Sequence, residues 1–276
     1  MKRVVSAIAA TLVALFLVPA LAGAQEIQVG VTASPLISPT CPAGLPATEC
    51  TIVLTQVTAY ETLRDGIVNP TTITKSGVIS SFTVGLAGTT TITAKDIKYL
   101  NKTYGGPAEA QLTILRPTGT VNNPSYRVAA ESPVYQLRGT LGQVAELPLI
   151  APLPVVRGEV VALTVPTWAP VLSFDLNTAK FSYSQSRTKM KVSATTGTTT
   201  TTTTTTGSTK TVSSCNTSAK LNLAQLTIGD LSNYSCDYPG TRVEYSALEI
   251  TTPAGFNSSV RKRAAIRRAR VDARHS

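Results

Sequence analysis

The chain has 276 residues, of which 42% are hydrophobic and 14% charged, with a formal net charge of +10 at pH 7. This apolar content excludes a wholly disordered chain. The single histidine, His275, lies one residue from the C-terminus, which excludes a serine or cysteine hydrolase with a histidine base and disfavours histidine-ligated metal catalysis. Carboxylate chemistry is still allowed, because a glycosidase needs only two Asp or Glu side chains.

The N-terminus has the pattern of a signal peptide. Lys2 and Arg3 precede an apolar run that ends in the small-residue sequence "AGA", which signal peptidase accepts. A retained membrane anchor is the less favoured alternative, and no later segment reaches the ~20 apolar residues that a spanning helix needs. We therefore expect residues 1–24 to be removed and a mature chain, beginning near Gln25, to be extracellular or at the cell surface.

The mature sequence predicts strands. It is rich in Thr and Val, and turn residues separate its short apolar runs, as in an all-β sandwich or barrel. The clearest alternation places Val161, Leu163 and Val165 on one face. The other inward residues predicted are Ile27, Val29, Val31, Ile52, Leu54, Val57, Leu112 and Ile114. The predicted strands are, in chain order, "EIQVGVTA", "TIVLTQVTA", "GVISSFTVG", "AEAQLTILRP", "SYRVAAE", "VYQLRG", "QVAELPLIAP", "GEVVALTVP", the proposed pair "VLSFDLN" and "AKFSYSQS", and "RVEYSALEITTP".

Four cysteines remain in the mature chain, as in proteins of oxidising compartments. Sequence alone allows three pairings, and we favour the local one, Cys41 with Cys50 and Cys215 with Cys236, because each pair brackets a turn-rich segment. A zinc site is the alternative, but there is no C-x-x-C spacing and no histidine nearby.

A threonine tract interrupts the chain. It lies within residues 188–214, has no apolar period and contains Gly197 and Gly207, so we expect a flexible, exposed loop. Only about 45 residues separate it from the basic tail, too few for a confident independent core. The prediction is one sandwich domain over residues 25–256 with the tract as an internal loop, for which O-glycosylation is a hypothesis.

The positive charge is concentrated at the C-terminus. Of the +10, the leader carries +2 and the tail 257–276 carries +6, which leaves about +2 on the domain. The tail is predicted to be disordered or a short helix, and it can hold to an anionic surface electrostatically. A solvated tail without a partner is the alternative. The predicted polyanion-binding residues are Arg261, Lys262, Arg263, Arg267, Arg268, Arg270 and Arg274.

A ligand site is predicted at Trp168, which lies in the proline-bracketed "VPTWAP", with Tyr99 and Tyr104 as further aromatic surface. The alternative is that Trp168 is a core residue.

The carboxylates form no recognisable catalytic pair, being spread over Asp96, Glu146, Glu159 and Asp175. Calcium-loop and phosphate-loop motifs are missing from the sequence, so we predict no metal and no cofactor.

The chain resembles a family of secreted single-domain β-sandwich proteins of high-GC Gram-positive bacteria. The likeness covers residues 77–252 and rests on "GVISSFTVG", "AQLTILRPTG", "LPVVRGEVVALTVP", a cysteine-flanked loop and "RVEYSALEI". The chain departs from the pattern in its threonine tract and at Glu159, where Asp is more usual. The resemblance implies a jelly-roll-like sandwich and brings no catalytic residues.

Together these features favour an exported, non-catalytic sandwich module of the envelope or extracellular space. Its expected partner is an anionic surface polymer or polysaccharide, with the tail as an electrostatic tether and no specific nucleic acid. The alternative is a carbohydrate-active enzyme with a carboxylate pair on a jelly-roll face.

Overall fold

The computed structural model describes residues 23–45, 50, 52–120, 123–186 and 223–252. The alternating sequence there forms fifteen strands, one α-helix and a 3-10 turn at Arg138–Thr140. The strands are β1 (Glu26–Val29), β2 (Leu54–Arg64), β3 (Ile67–Val68), β4 (Gly77–Gly85), β5 (Glu109–Pro117), β6 (Ser125–Glu131), β7 (Tyr135–Gln136), β8 (Val144–Val155), β9 (Val160–Ala169), β10 (Leu172–Ser173), β11 (Ser182–Gln185), β12 (Leu231–Asn233), β13 (Asp237–Pro239), β14 (Arg242–Val243) and β15 (Tyr245–Thr251), and helix α1 is Ala94–Thr103.

The strongest sequence patterns gave the correct strands. β4 and β6 have the predicted bounds, and the predicted inward residues of β2, β5 and β9 are buried. In β2, Leu54 and Val57 both face inward although they are three residues apart, because Gln56 adopts a φ of +48° and shifts the register against β9. The inward prediction for Val31 was wrong, since β1 ends at Val29 and Val31 is exposed.

Three other predictions need correction. The segment predicted as the strand "VYQLRG" forms only the two-residue β7 before the 3-10 turn. The strands β10 and β11 do not pair with each other, since β10 pairs with β14, and β11 lies between β2 and β13. Helix α1 was not predicted, because its short polar sequence resembles a loop.

Two antiparallel sheets form a sandwich. The smaller has the order β1-β15-β4-β8, and the larger runs β12-β6-β5-β9-β2-β11-β13, with β3 and β7 attached to β2 and β5. The main core lies between the sheets: Phe82 and Tyr245 come from the smaller, Leu112 and Leu163 from the larger, and all four are buried. The predicted all-β sandwich is confirmed.

The larger sheet is curled. Its end strands β12 and β13 are separated by six strand spacings, about 29 Å if the sheet were flat. The chain joins these two strands through only three residues, 234–236, and the four steps from Asn233 to Asp237 span at most about 14 Å. The sheet must therefore bend until its edges nearly meet. Ser184 of β11 holds this link, because its hydroxyl lies 2.6 Å from the carbonyl oxygens of Tyr234 and Cys236.

The curl encloses a second, smaller core. Tyr60, Tyr126 and Tyr234 pack ring against ring there, with centroids 5.2–5.4 Å apart. Beside them, Thr164 lies within hydrogen-bond distance of Thr58 and Thr113, at 2.8 and 2.6 Å between hydroxyl oxygens. The additional members of this core are Leu115, Val128, Val160 and Ala162. Alternate residues of the same strands thus serve two different cores.

Cys41 and Cys50 form a disulfide, which confirms the first predicted pair. Cys236 is buried, but its predicted partner Cys215 lies outside the described residues, as do the leader, the threonine tract and the basic tail. Residues 25–252 form one compact unit, so strands from both sides of the tract share the larger sheet. Within the described residues, no helix is long and apolar enough to span a bilayer.

Candidate functional site

Helix α1 begins with a capping box. The Thr93 hydroxyl donates to the Asp96 carboxylate at 2.6 Å and accepts from the Asp96 amide at 3.3 Å, while the Thr93 amide donates back to the carboxylate at 2.9 Å. These hydrogen bonds from Thr93 lower the pKa of Asp96. The cap fixes where the helix starts and, through the 3.6-residue period, which side chains point outward.

The two faces of α1 differ in chemistry. Its inner face packs against the main core through Ile97, Leu100 and Tyr104. Residues three, four and seven apart lie on one side of a helix, so the opposite side carries Lys95, Lys98, Tyr99 and Lys102. We call these three lysines the lysine stripe.

Trp168 connects α1 to the sandwich through hydrogen bonds of its indole nitrogen. It lies in β9, is 1% exposed, and its indole nitrogen donates to the Asn101 side-chain oxygen at 3.0 Å and the Gly106 carbonyl at 3.1 Å. The predicted aromatic residues therefore occupy one region but different environments. Trp168 is buried, Tyr104 packs against the core, and Tyr99 is 64% exposed on the outer face of the helix. Burial leaves the indole ring no broad open face on which a sugar could stack.

A cavity of about 470 Å³ opens between α1, the end of β9 and the turn that follows β7. We call it the Trp168 cavity. This volume is within the usual range for small-molecule sites. Its wall is largely apolar, and four polar side chains, Thr89, Lys98, Asn101 and Arg138, complete it; the apolar residues are Ala94, Ile97, Pro107, Ala108, Leu141 and Trp168.

The cavity carries positive charge without a neutralising acid. Lys98 and Arg138 are both exposed, and neither forms a salt bridge to any of the described residues. No carboxylate lines this cavity. Two cations beside an apolar wall suit a ligand unit with a negative group and a nonpolar face. Neither residue was predicted from the sequence. The helical spacing of Lys95, Lys98 and Lys102 was a usable signal for Lys98, whereas no sequence pattern pointed to Arg138.

The carboxylates singled out in the sequence lie apart, each with its own role. Glu159 is paired with Arg116, whose Nη2 lies 2.7 Å from the carboxylate, and it also accepts from the Val156 amide. Glu146 accepts from the Ser81 hydroxyl at 2.7 Å. Asp96 caps α1, and Asp175 occupies a turn at φ +60°. The fold brings no two of these four together at the Trp168 cavity.

A different group of charges is buried beneath the N-terminal segment. Glu61, Arg64, Arg242 and Glu244 are each at most 4% exposed. Arg242 binds Glu244, with Nη2 and Nε at 2.5 and 2.7 Å from the same carboxylate oxygen, and Ser173 donates to that oxygen as well. We call these four residues the buried charge cluster. This cluster was not predicted from the sequence, because residues 61 and 64 are far along the chain from residues 242 and 244.

Residues 30–38, which we call the N-terminal strap, cover this cluster. Arg64 donates to the Ser34 carbonyl at 3.2 Å and Arg242 to the Pro35 carbonyl at 3.1 Å. Asp65 accepts from Thr32 and Ser34; although burial opposes it, these hydrogen bonds lower the pKa of Asp65 to about 2. Burial raises the pKa of Glu61 despite the nearby Arg64. Since solvent does not reach the cluster, it is suited to holding the strap and not to contacting a substrate.

Within the described ranges, no group of three or more His, Cys, Asp or Glu side chains is placed to hold a metal ion. The predicted polyanion-binding residues of the tail lie outside those ranges, whereas the Trp168 cavity and the lysine stripe lie within them. The chain matches no protein family model, no curated protein and no solved structure.

Proposed function

We propose that the protein is an exported, non-catalytic β-sandwich module that binds an anionic surface polymer through the Trp168 cavity. The observation that carries the proposal is that two cations, Lys98 and Arg138, have no salt-bridge partner among the described residues and line a cavity with no lining acid. An acidic group of the polymer would bind these two cations, while its nonpolar face would contact Ile97 and Leu141.

The lysine stripe extends the cationic surface beyond the cavity. Lys95 and Lys102 lie on the same side of α1 as Lys98, so neighbouring acidic units of a polymer would meet further positive charge. Each exposed cation contributes about 1 kcal/mol at most to the free energy of binding an anionic polymer, and salt weakens this contribution. A repeating polyanion gains from several such contacts at once, whereas a small single-charged ligand does not.

The basic tail contributes a second, less selective attraction in this proposal. Its seven positive residues would hold the module near an anionic surface without requiring a fixed geometry. The cavity then provides the specific contact. This division predicts that tail and cavity variants differ in how their binding depends on polymer chemistry and salt.

The test compares charge reversals on the chain from Gln25 to Ser276. Dextran sulfate and polygalacturonate serve as anionic probes, neutral dextran as the uncharged one, and binding is measured by calorimetry at low and high salt. We expect K98E/R138E to bind the anionic polymers at least about tenfold more weakly, because two attractive contacts become repulsive. The variant R157E/K180E makes the same charge change at exposed positions away from the cavity and should stay within about twofold of the parent.

A variant with the seven basic tail residues changed to Gln separates the two elements. This tail variant should bind the anionic polymers more weakly than the parent, mainly at low salt. Adding K98E/R138E to the tail variant should weaken its binding further. Equal losses for K98E/R138E and R157E/K180E would show a nonspecific charge effect and overturn the cavity assignment. Binding that depends on the tail alone would do so as well.

A further inference from the structure

A second pocket, of about 320 Å³, opens at the mouth of the curled sheet. Its walls include Tyr60 of β2, Tyr126 and Ser125 of β6, Asn69 from the turn after β3, and the prolines 117 and 124. We call it the tyrosine pocket. It lies at the C-terminal end of β5, whereas the Trp168 cavity lies at the N-terminal end, so the nine residues of β5 separate them by about 26 Å.

Two side chains of the pocket have hydrogen-bonding groups that the described residues leave unused. The Tyr60 hydroxyl donates to the Tyr126 hydroxyl at 3.1 Å, which leaves the proton of Tyr126 without an acceptor among the described residues. The Asn69 carboxamide is exposed and makes no side-chain hydrogen bond within the described part of the chain, so it can donate two and accept others. No charged residue lines this pocket.

The pocket is also held rigidly. The Tyr126 ring packs edge-on against Tyr60 and Tyr234, with centroids 5.2 Å from each. The prolines 117 and 124 restrict the backbone on either side of the mouth. Asn69 holds a φ of +51°, in the left-handed region, and its amide donates to the Thr62 carbonyl at 2.9 Å. Backbone strain kept by the surrounding structure occurs preferentially at binding sites, and here it presents the Asn69 side chain at the mouth.

We propose that the tyrosine pocket binds a neutral pyranose unit. A pyranose ring has a nonpolar face that suits the tyrosine and proline walls, and hydroxyl groups that can accept from Tyr126 and exchange hydrogen bonds with Asn69. The absence of lining charge disfavours an ionic ligand here, in contrast to the Trp168 cavity. The inference does not depend on the proposed function, since the two sites share no residue.

The experiment titrates the chain from Gln25 to Ser276 with the methyl pyranosides of glucose, galactose and mannose, up to about 100 mM, a range suited to weak single-unit binding. Amide NMR spectra report the side chain of Asn69 directly. We expect saturable shifts with at least one sugar, and affinities at least about fivefold weaker in Tyr126→Phe and Asn69→Gly, each of which removes one hydrogen-bonding group. Glycine is chosen at position 69 because it accepts the positive φ that alanine would strain.

Two controls make the result decisive. Tyr99→Phe removes an exposed hydroxyl outside both pockets and should leave the sugar affinity unchanged. K98E/R138E should also bind the sugar as the parent does, even if it loses the anionic polymers. The proposal is overturned if none of the three sugars gives a saturable shift, or if binding persists unchanged in both pocket variants.

Discussion

Individual buried charges hold distant parts of this chain together. Arg242 and Glu244 are 5% and 0% exposed as side chains and form a direct ion pair, and Arg242 also reaches the N-terminal strap. Such a pair gains little over an apolar replacement of both partners, but loss of one partner leaves an uncompensated buried charge. The contribution of Arg242 to stability therefore depends on its pairing with Glu244.

We expect Arg242→Met to lower the free energy of unfolding by about 3–5 kcal/mol, because Glu244 stays buried without its partner. Arg157→Met is the comparison: Arg157 is exposed and forms no salt bridge within the described residues, so the loss should be below about 0.5 kcal/mol. Urea unfolding followed by fluorescence measures both. Equal losses in the two variants would contradict the role given to the buried pair.

At the residue scale, sequence predicted burial better than it predicted contacts. Val161, Leu163 and Val165 alternate within one strand, so their common face could be read directly from the sequence. Glu61 and Arg242, both members of the buried charge cluster, are separated by most of the chain, and only the tertiary fold places them in one cluster. Neither charge has a local pattern that distinguishes it from a solvated surface residue.

Among the elements, long alternating strands were predictable and short ones were not. β4 has nine residues and buries Ile79, Phe82 and Val84, whereas β12 and β13 have three residues each and depend on neighbouring strands for their conformation. Helix α1 was missed although Thr93 and Asp96 have the spacing of a capping box, because threonine is common throughout this chain and its strands. The lysine stripe was missed with it.

The N-terminal strap depends on a close approach at the end of β4. A Cβ atom on Gly85 would lie 2.0 Å from the carbonyl oxygen of Ile37, far inside contact distance. We expect Gly85→Ala to destabilise the protein by roughly 1–3 kcal/mol and to speed amide hydrogen exchange in residues 30–38. Gly139→Ala is the control, since a Cβ there meets nothing within 4 Å. Unchanged exchange in the strap of the Gly85 variant would contradict this account.

For the whole molecule, the three-residue link between β12 and β13 determines the curl of the larger sheet. The sequence predicted that one domain spans the threonine tract, because the roughly 45 residues that follow it are too few for an independent core. It could not predict the curl or the two pockets, since these arise from the bending of seven strands and not from any local pattern. The Trp168 cavity likewise needs α1, β9 and the turn at 138–140 together.

A substitution at Ser184 tests whether its hydroxyl helps to hold the larger sheet in its curled form. Its hydroxyl lies within hydrogen-bond distance of the carbonyl oxygens of Tyr234 and Cys236, and Ser184→Ala removes this donor from both. We expect a loss of about 1–3 kcal/mol in unfolding free energy and faster amide exchange in β12 and β13, measured by mass spectrometry. Ser80→Ala, which removes a 3.3 Å hydrogen bond in the other sheet, should leave exchange in β12 and β13 unchanged. Slow exchange there in the Ser184 variant would show that the link holds without it.

The same curl limits self-association. A sheet edge with unpaired backbone groups is a template for another chain, yet the larger sheet ends in two three-residue strands that its own chain connects. The smaller sheet ends in the four-residue β1 and in β8, where the prolines at 148, 152 and 154 remove amide donors. Within the described residues, both sheets therefore end in short or proline-containing strands, which leaves few free donors and acceptors for pairing with another chain.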